Sequence, residues 1–537
     1  MNKLVTTSAG RMRFHWLVVP TLVMLGNSCT NLTEVPHDAL TPESAFKTDA
    51  EILAGVAGVY AGLRPVEWVG YITLQDLTTD GAIVPTRGSD WYDNGQWLDL
   101  HRQTWTPNSA GTLAFIDGAW NDLFAGVAKA NLMINVIENK PGLAQGAKDS
   151  TLAELRTLRA WYYYMLQDMF GGVPLVVTTE LKQYPRVSRD SIFRFLEREL
   201  LATRGSLPDK WPAGSYGRLT KGAANAMLAS LYLNAGVFNK DAGVSATAYN
   251  SCAGVAVTGV AVTGGDACKG AIDAADAVIN SGNYLLNTNW MQNFSSTNKS
   301  SPENIFVIVH ASDASGIGGN WPMRTLHYNQ LNTGQGGPWN GFATTAETYN
   351  AFEATDDRRA MWLAGPQKSF ETGQNVNDRN GNPLNFTSAI LDVDKASEGE
   401  GVRFNKFAPI PSPPVGSAQP NDFTFFRLAE MYLIKAEALL AQGNTAAAQT
   451  EFNRVRSLHN TRAVTVSRDA ILQERMLEFA GEGKRRTDLI RNGKFLSWTE
   501  ASLHGHTSKA TETFRILFPI SSNQLGANPL LKQNPGY

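Results

Sequence analysis

Cysteine is scarce in this 537-residue chain, charge is low and nearly balanced, and no long apolar run follows residue 26. The three cysteines, Cys29, Cys252 and Cys268, leave no cluster for a metal centre. A charged content of 18% with a formal net charge of -2 gives no basic face for a phosphate backbone, so nucleic acid is not an expected partner. HExxH, GxSxG and the Walker glycine loop are all missing, and with them the chemistries those motifs carry. Gly481-Glu482-Gly483-Lys484 lacks the spacing of a phosphate loop and reads as a helix stop beside surface charge. What is present is ordinary globular composition, 43% apolar, long enough for one large core or several small ones.

The N-terminus carries an address. Arg11 and Arg13 precede an apolar run over 14–26, too short to cross a bilayer and fitting a signal peptide over 1–28. The run ends Leu25-Gly26-Asn27-Ser28-Cys29, which resembles the lipobox of bacterial lipoproteins, although Leu25 stands one place too far from the cysteine. Cys29 is therefore the expected lipidation site and 29–41 a polar tether, with ordinary secretion as the alternative. Export implies an oxidising compartment. Cys252 and Cys268 then either close a loop, stabilising it by roughly 3 kcal/mol on the entropy model, or stay as two thiols.

Beyond the tether the pattern is helical. Over 158–169, Leu158, Trp161, Tyr162, Met165, Leu166 and Met169 recur at spacings of three and four, one apolar helix face. Gly171-Gly172 stops that helix, and Pro174 keeps the next residues extended. The crowd of rings there, Trp161 to Tyr164, asks for burial, the alternative being a helix half turned to a ligand groove. Thr41-Pro42-Glu43 opens an earlier helix, with a cap, a proline in the first turn and an acid. Helices pair as 43–63 with 111–139, 149–170 with 188–201, 219–235 with 270–280, and 425–440 with 446–457. Further ones follow at 468–480 and near Arg485. Ala224, Ala226 and Ala229 among Leu228, Leu231 and Tyr232 suit close helix packing, and the pairs look like tetratricopeptide-type hairpins. A buried strand is expected at 304–309 and a strand or extended plug at 517–520. Irregular insertions occupy 64–110, 237–269 and 283–423, and loops of that length usually carry function.

The first insertion crowds Asp76, Asp80, Asp90, Asp93 and Asp99 beside Trp91, Tyr92, Asn94 and Trp97. Rings that stack on a sugar face, with short polar partners for its hydroxyls, suit carbohydrate recognition. Trp290, Trp321, Arg324, Tyr328, Trp339 and Asn340, from the later insertion, could complete the surface or fill a loop core. A glycoside hydrolase would need two of the acids, from Asp80, Asp90 and Asp93, flanking the scissile bond. Binding is the favoured reading. Asp392, Asp394, Glu398 and Glu400 could hold Ca2+ by oxygen count, against a solvated acidic loop.

Six stretches then carry a resemblance: 40–63; RAWYYYMLQDMFGGVPLV from Arg159; GRLTKGAANAMLASLYLNAG from Gly217; FRLAEMYLIKAEALLAQGN from Phe426; ERMLEFAGEGKRRTDLIR from Glu474; and 517–537. In family order across nearly the whole chain, they resemble the SusD/RagB family of outer-membrane nutrient-binding lipoproteins. The resemblance implies a mostly α, SusD-like fold with four tetratricopeptide-like helix pairs and long irregular insertions carrying minor β. It implies one domain over 42–537, with scaffold at about 42–63, 111–236, 270–281 and 425–491. The ligand-side insertions would be about 64–110 and 283–423. It further implies a non-enzymatic, cofactor-free glycan-binding subunit, lipid-anchored on the outer membrane and facing outward. Such a subunit acts as lid to a SusC-like TonB-dependent transporter, and some branches of the family take peptides or serve mainly as the lid. The family's aromatic arc falls in loops matching 65–110 and 283–340, which makes Trp91, Trp97 and Trp321 the leading ligand residues. Tyr92, Asp93, Asn94, Arg324 and Tyr328 stand with them. The segment after Cys29 holds one acid, Glu34, where surface-export signals are more acidic, so a periplasmic facing stays open.

Overall fold

Thr48 starts the first long helix, α1 (Asp49–Ala61): its hydroxyl accepts from Glu51 N while the Glu51 carboxylate accepts from Thr48 N. The computed structural model describes residues 45–68, 70–241, 243–260, 265–311, 318–334, 336–410, 418–497, 503 and 510–537. The signal segment, the tether, Cys29 and the helix start at Thr41 lie outside these residues. Eight more helices complete the scaffold. They are α2 (Asp117–Asn139), α3 (Gln145–Phe170), α4 (Arg189–Thr203), α5 (Lys221–Leu233), α6 (Ala267–Ile279), α7 (Leu428–Ala441), α8 (Thr445–Arg456) and α9 (Arg468–Phe479).

Packing runs along the chain: α2 on α3, α3 on α4, α5 on α6, α6 on α7 and α7 on α8. Small residues permit this closeness. A Cβ at Gly126 of α2 would stand 2.2 Å from the Tyr162 ring of α3, and one at Gly270 of α6 would stand 2.7 Å from Tyr232 of α5. Tyr162 also donates 2.7 Å to Val59 O, tying α3 to α1. The organising rings of α3 lie inward: Trp161, Tyr162 and Tyr163 are fully buried and Tyr164 nearly so. At its end Gly171 adopts φ 72°, and a Cβ on Gly172 would stand 2.2 Å from Val187 O, so only glycine fits this exit. Phe518 and Ile520 are buried in extended chain, and Phe518 N donates to Met169 O at 2.8 Å.

Several boundaries differ from the sequence reading. Two short helices, Leu63–Trp68 and Tyr71–Leu77, fall at the start of the segment expected to be irregular from 64. Every residue of Tyr71–Leu77 is buried, so this piece has no polar face and no helical period to detect. The helix expected from 425 begins at Leu428. Before it, β2 (Phe423–Arg427) pairs antiparallel with β1 (Asn304–Ile308). Cys252 and Cys268 are both buried and joined in a disulfide.

The charged stretch around Glu482 is a correction of substance. Glu482 is 1% exposed and the Lys484 side chain only 11%, where surface charge was expected. Glu482 accepts from Arg427 and Lys406, and Lys484 pairs with Glu430 at 3.1 Å. Asp76 lies beneath the same stretch, 5% exposed, with Oδ2 3.4 Å from Gly483 N. Burial pushes its carboxyl up to about 7. The native state therefore keeps a proton that the unfolded chain releases near pH 4. Stability should fall as pH rises from about 4 to about 7, by a few kcal/mol at most. Urea unfolding across that range should show the decline in the wild type and its loss in Asp76→Asn.

Candidate functional site

Among the described residues, four of the five non-glycine residues with positive φ fall in two loops: Trp91 (64°), Asp93 (39°), Asn94 (58°) and Asn340 (53°). For a ring as large as Trp91 this backbone is strained, on the order of 1–3 kcal/mol, and persists only where surroundings enforce it. Here they do. A turn at Gly88 closes through reciprocal Arg87–Asp90 backbone bonds of 2.9 and 3.0 Å, and Gly95 N donates 2.6 Å to Tyr92 O. The Trp91 indole lies over Gly341, where a Cβ would stand 2.3 Å from the ring. It meets Trp97 at 5.1 Å and Phe342 at 6.1 Å between centroids.

The second loop is fixed as firmly. Asn340 is fully buried, and its side chain accepts from Arg403 at 2.9 and 3.1 Å and donates 3.1 Å to Glu398 O. Trp339 N donates 2.6 Å to Met323 O, and Trp339 O accepts 2.6 Å from the Trp91 indole. The two loops are thus stitched together, and the chain geometry turns the rings that flank the stitch outward. Tyr92 is 59% exposed and Trp339 40% exposed. Among the described residues the third exposed ring is Tyr216, elsewhere on the scaffold.

The candidate residues separate by burial. Tyr92, Asp93 and Asn94 are exposed, and Trp91 and Tyr328 are half-buried. Trp97, Trp321 and Arg324, expected beside a ligand, lie inside, each 7% exposed. Trp97 and Trp321 both pack on Phe342, at 5.6 and 6.0 Å, so their faces are spent on the core that carries the loops. Arg324 bonds Asn320 Oδ1 at 2.9 Å and Thr73 Oγ1 at 3.1 Å, and accordingly positions Gly341 and Phe342, whose N–H groups bond its carbonyl at 2.9 Å. Trp339 had been one ring among several in the sequence; its exposure singles it out.

Polar groups gather next to the rings. Tyr328 Oη donates 2.6 Å to Asp90 Oδ2, and Arg379 Nη2 reaches the same oxygen at 2.9 Å. The Arg379 guanidinium lies 4.0 Å over the Tyr328 ring and also pairs with Glu398. His327 Nε2 meets Glu398 at 2.9 Å. Burial pushes the Glu398 carboxyl up, but the Arg379 backbone and side chain and His327 outweigh it and hold the group below the usual range. Arg379 and Glu398 line a cleft of about 520 Å3 whose walls also include Arg87, Asp378, Asn380 and Asn385.

The acids once considered for hydrolysis are all engaged. Asp80 accepts both arms of Arg485 at 2.6 and 2.7 Å, Asp90 serves Tyr328 and Arg379, and Asp93 accepts 2.7 Å from the Trp97 indole. The Ca2+ grouping does not converge either: Asp394 pairs with Arg102, Glu398 with Arg379 and His327, and Glu400 caps Leu391 N. Among the described residues, Asp356, Asp357 and His459 have ligand atoms within 4.8 Å of one another. There His459 is held between Asp357 at 2.6 Å and Glu478 at 3.1 Å, inside a buried ion network.

Comparison with known proteins bears on the whole chain. Residues 277–537 match the family model described as "SusD family", and residues 40–233 match one described as "Starch-binding associating with outer membrane". SusD-like protein P25 of Formosa agariphila is 24% identical, over 94% of this chain and 96% of its own. Starch-binding protein SusD of Bacteroides thetaiotaomicron is 23% identical, over 83% of this chain and 82% of its own. Surface glycan-binding protein A of Bacteroides thetaiotaomicron, solved with laminarihexaose, shares the fold at a TM-score of 0.71. The two are 21% identical, with 90% of this chain and 99% of that one covered.

Proposed function

We propose, since this chain belongs to the SusD/RagB family of outer-membrane proteins, that it is a surface glycan-binding subunit of a TonB-dependent import system. Proteins of this family are non-catalytic, and the chain is not an enzyme. The observation that carries the reading is the pair of exposed rings, Tyr92 and Trp339, on two strained loops that the Trp91 indole ties together. Preorganised rings lose little entropy on binding, which suits capture of flexible oligosaccharides. Asp90, Asp93, Asn94 and Arg379 stand by for the hydroxyls. The relatives named for starch and glycan binding support the same reading.

The finer parts of the proposal are a lipid anchor at Cys29 facing the exterior and a SusC-like transporter under a lid of tetratricopeptide-like helix pairs. The sequence of 1–29 and the consecutive helix packing support them. Isothermal titration against a glycan retained by the wild type tests the site. Tyr92→Ala and Trp339→Ala should each weaken binding by roughly threefold to tenfold, about 0.5–1.5 kcal/mol per ring, with the thermal transition unmoved. Full affinity in both variants would remove these rings from the site.

A further inference from the structure

We infer that this binding face takes neutral, polyhydroxylated sugar units, and that the cleft beside Arg379 is one of its subsites. The inference rests on the glycan-binding reading above. Two cations line the cleft, Arg87 and Arg379, and both are matched within the protein. Arg87 is 1% exposed and donates to three backbone carbonyls: Asn340 at 2.9 Å, Glu400 at 2.8 Å and Ser397. Arg379 has Glu398 on its Nε edge and Asp90 at Nη2. A uronate or sulfate approaching Arg379 would have to share its guanidinium with Glu398 and Asp90, whose carboxylates oppose the incoming charge.

The acids point the same way. Hydrogen bonds from Asn382 and Asn380 hold the Asp378 carboxyl below the usual range, and Glu398 is likewise held down. Both are ionised at neutral pH. In the cleft wall they balance the two guanidiniums, so it carries no spare positive charge to draw an anionic sugar. Exposed Asn380 and Asn385 add amide donors beside these acceptors. Adjacent hydroxyls of a neutral sugar can donate to a carboxylate and accept from an amide, which is the pairing offered here.

Affinity electrophoresis of the full chain tests this, in gels carrying neutral glycans (β-glucan, starch, mannan) or acidic ones (alginate, polygalacturonate, carrageenan), at low and high salt. At least one neutral glycan should retard the protein about tenfold more strongly than any acidic one, with little salt dependence. Asp378→Asn combined with Asn380→Ala should weaken that retention about threefold or more while the thermal transition holds. Unchanged retention in this variant overturns the subsite. An acidic glycan bound as strongly, weakened by salt and by Tyr92→Ala, overturns the neutral class and leaves the glycan-binding function standing. Retention by no glycan of either class overturns both.

Discussion

Arg427→Met should cost at least 3–5 kcal/mol of unfolding free energy, one of the largest losses expected from a single substitution in this protein. Arg427 ends β2 and is 1% exposed. Its guanidinium donates to Glu303 at 2.8 Å, to Glu478 Oε1 at 2.6 Å, to both oxygens of Glu482 at 2.9 and 3.0 Å, and to Glu478 O at 2.8 Å. Three buried carboxylates share this one cation. Lys406 reaches Glu482 at 2.5 Å, and Arg358 reaches Glu478 at 2.8 Å, but neither touches Glu303. Methionine fills much of the volume and supplies no donor, so the loss is that of a charge partner with the cavity largely filled. Urea unfolding should show the drop. Adding Glu303→Gln should recover part of it, because Glu303 is the buried carboxylate that the single variant leaves without a cation. A loss below about 1 kcal/mol would mean that water or a rearranged Lys406 serves these acids, and that the network is no constraint on the fold.

That network also explains which parts of the structure were legible in the sequence. The helices were, because an amphipathic helix writes its buried face at a period of three to four residues, as α4 does with Ile192, Phe193, Leu196 and Leu200. The stretch from Glu474 to Arg491 was legible as a family feature but misjudged physically around Gly481–Lys484. Charges clustered there normally face solvent, and the partners that bury them, Lys406, Arg427 and Glu430, lie far away in sequence. The site fared similarly. The sequence placed the candidate rings in two insertions, and irregular chain has no period from which to sort inward from outward. Trp97 and Trp321 became core while Tyr92 and Trp339 became surface. The device that sorts them is the positive φ at Trp91 and Asn340, and an unusual backbone on a tryptophan leaves no mark in composition.

Trp161→Ala, in the stretch that organises the sequence, should cost on the order of 3–5 kcal/mol while leaving glycan affinity intact below the new transition. The ring is fully buried. It meets Tyr162 at 5.2 Å within α3, Phe306 of β1 at 6.2 Å and Phe425 of β2 at 5.2 Å. It therefore fills the joint between the helical scaffold and the two-stranded sheet, on an element that contributes no exposed ring to the site. Truncation leaves a cavity among aromatics that are themselves fixed: Tyr162 by Val59 O, and Phe425 by its strand. The joint cannot collapse cheaply, which places the cost toward the upper end. Trp161→Phe should be milder, since the indole Nε1 has no hydrogen-bond partner to lose and most of the ring volume is kept. Paired urea unfolding and titration would separate stability from recognition. An unchanged unfolding free energy together with lost glycan binding would move this helix from the scaffold to the site.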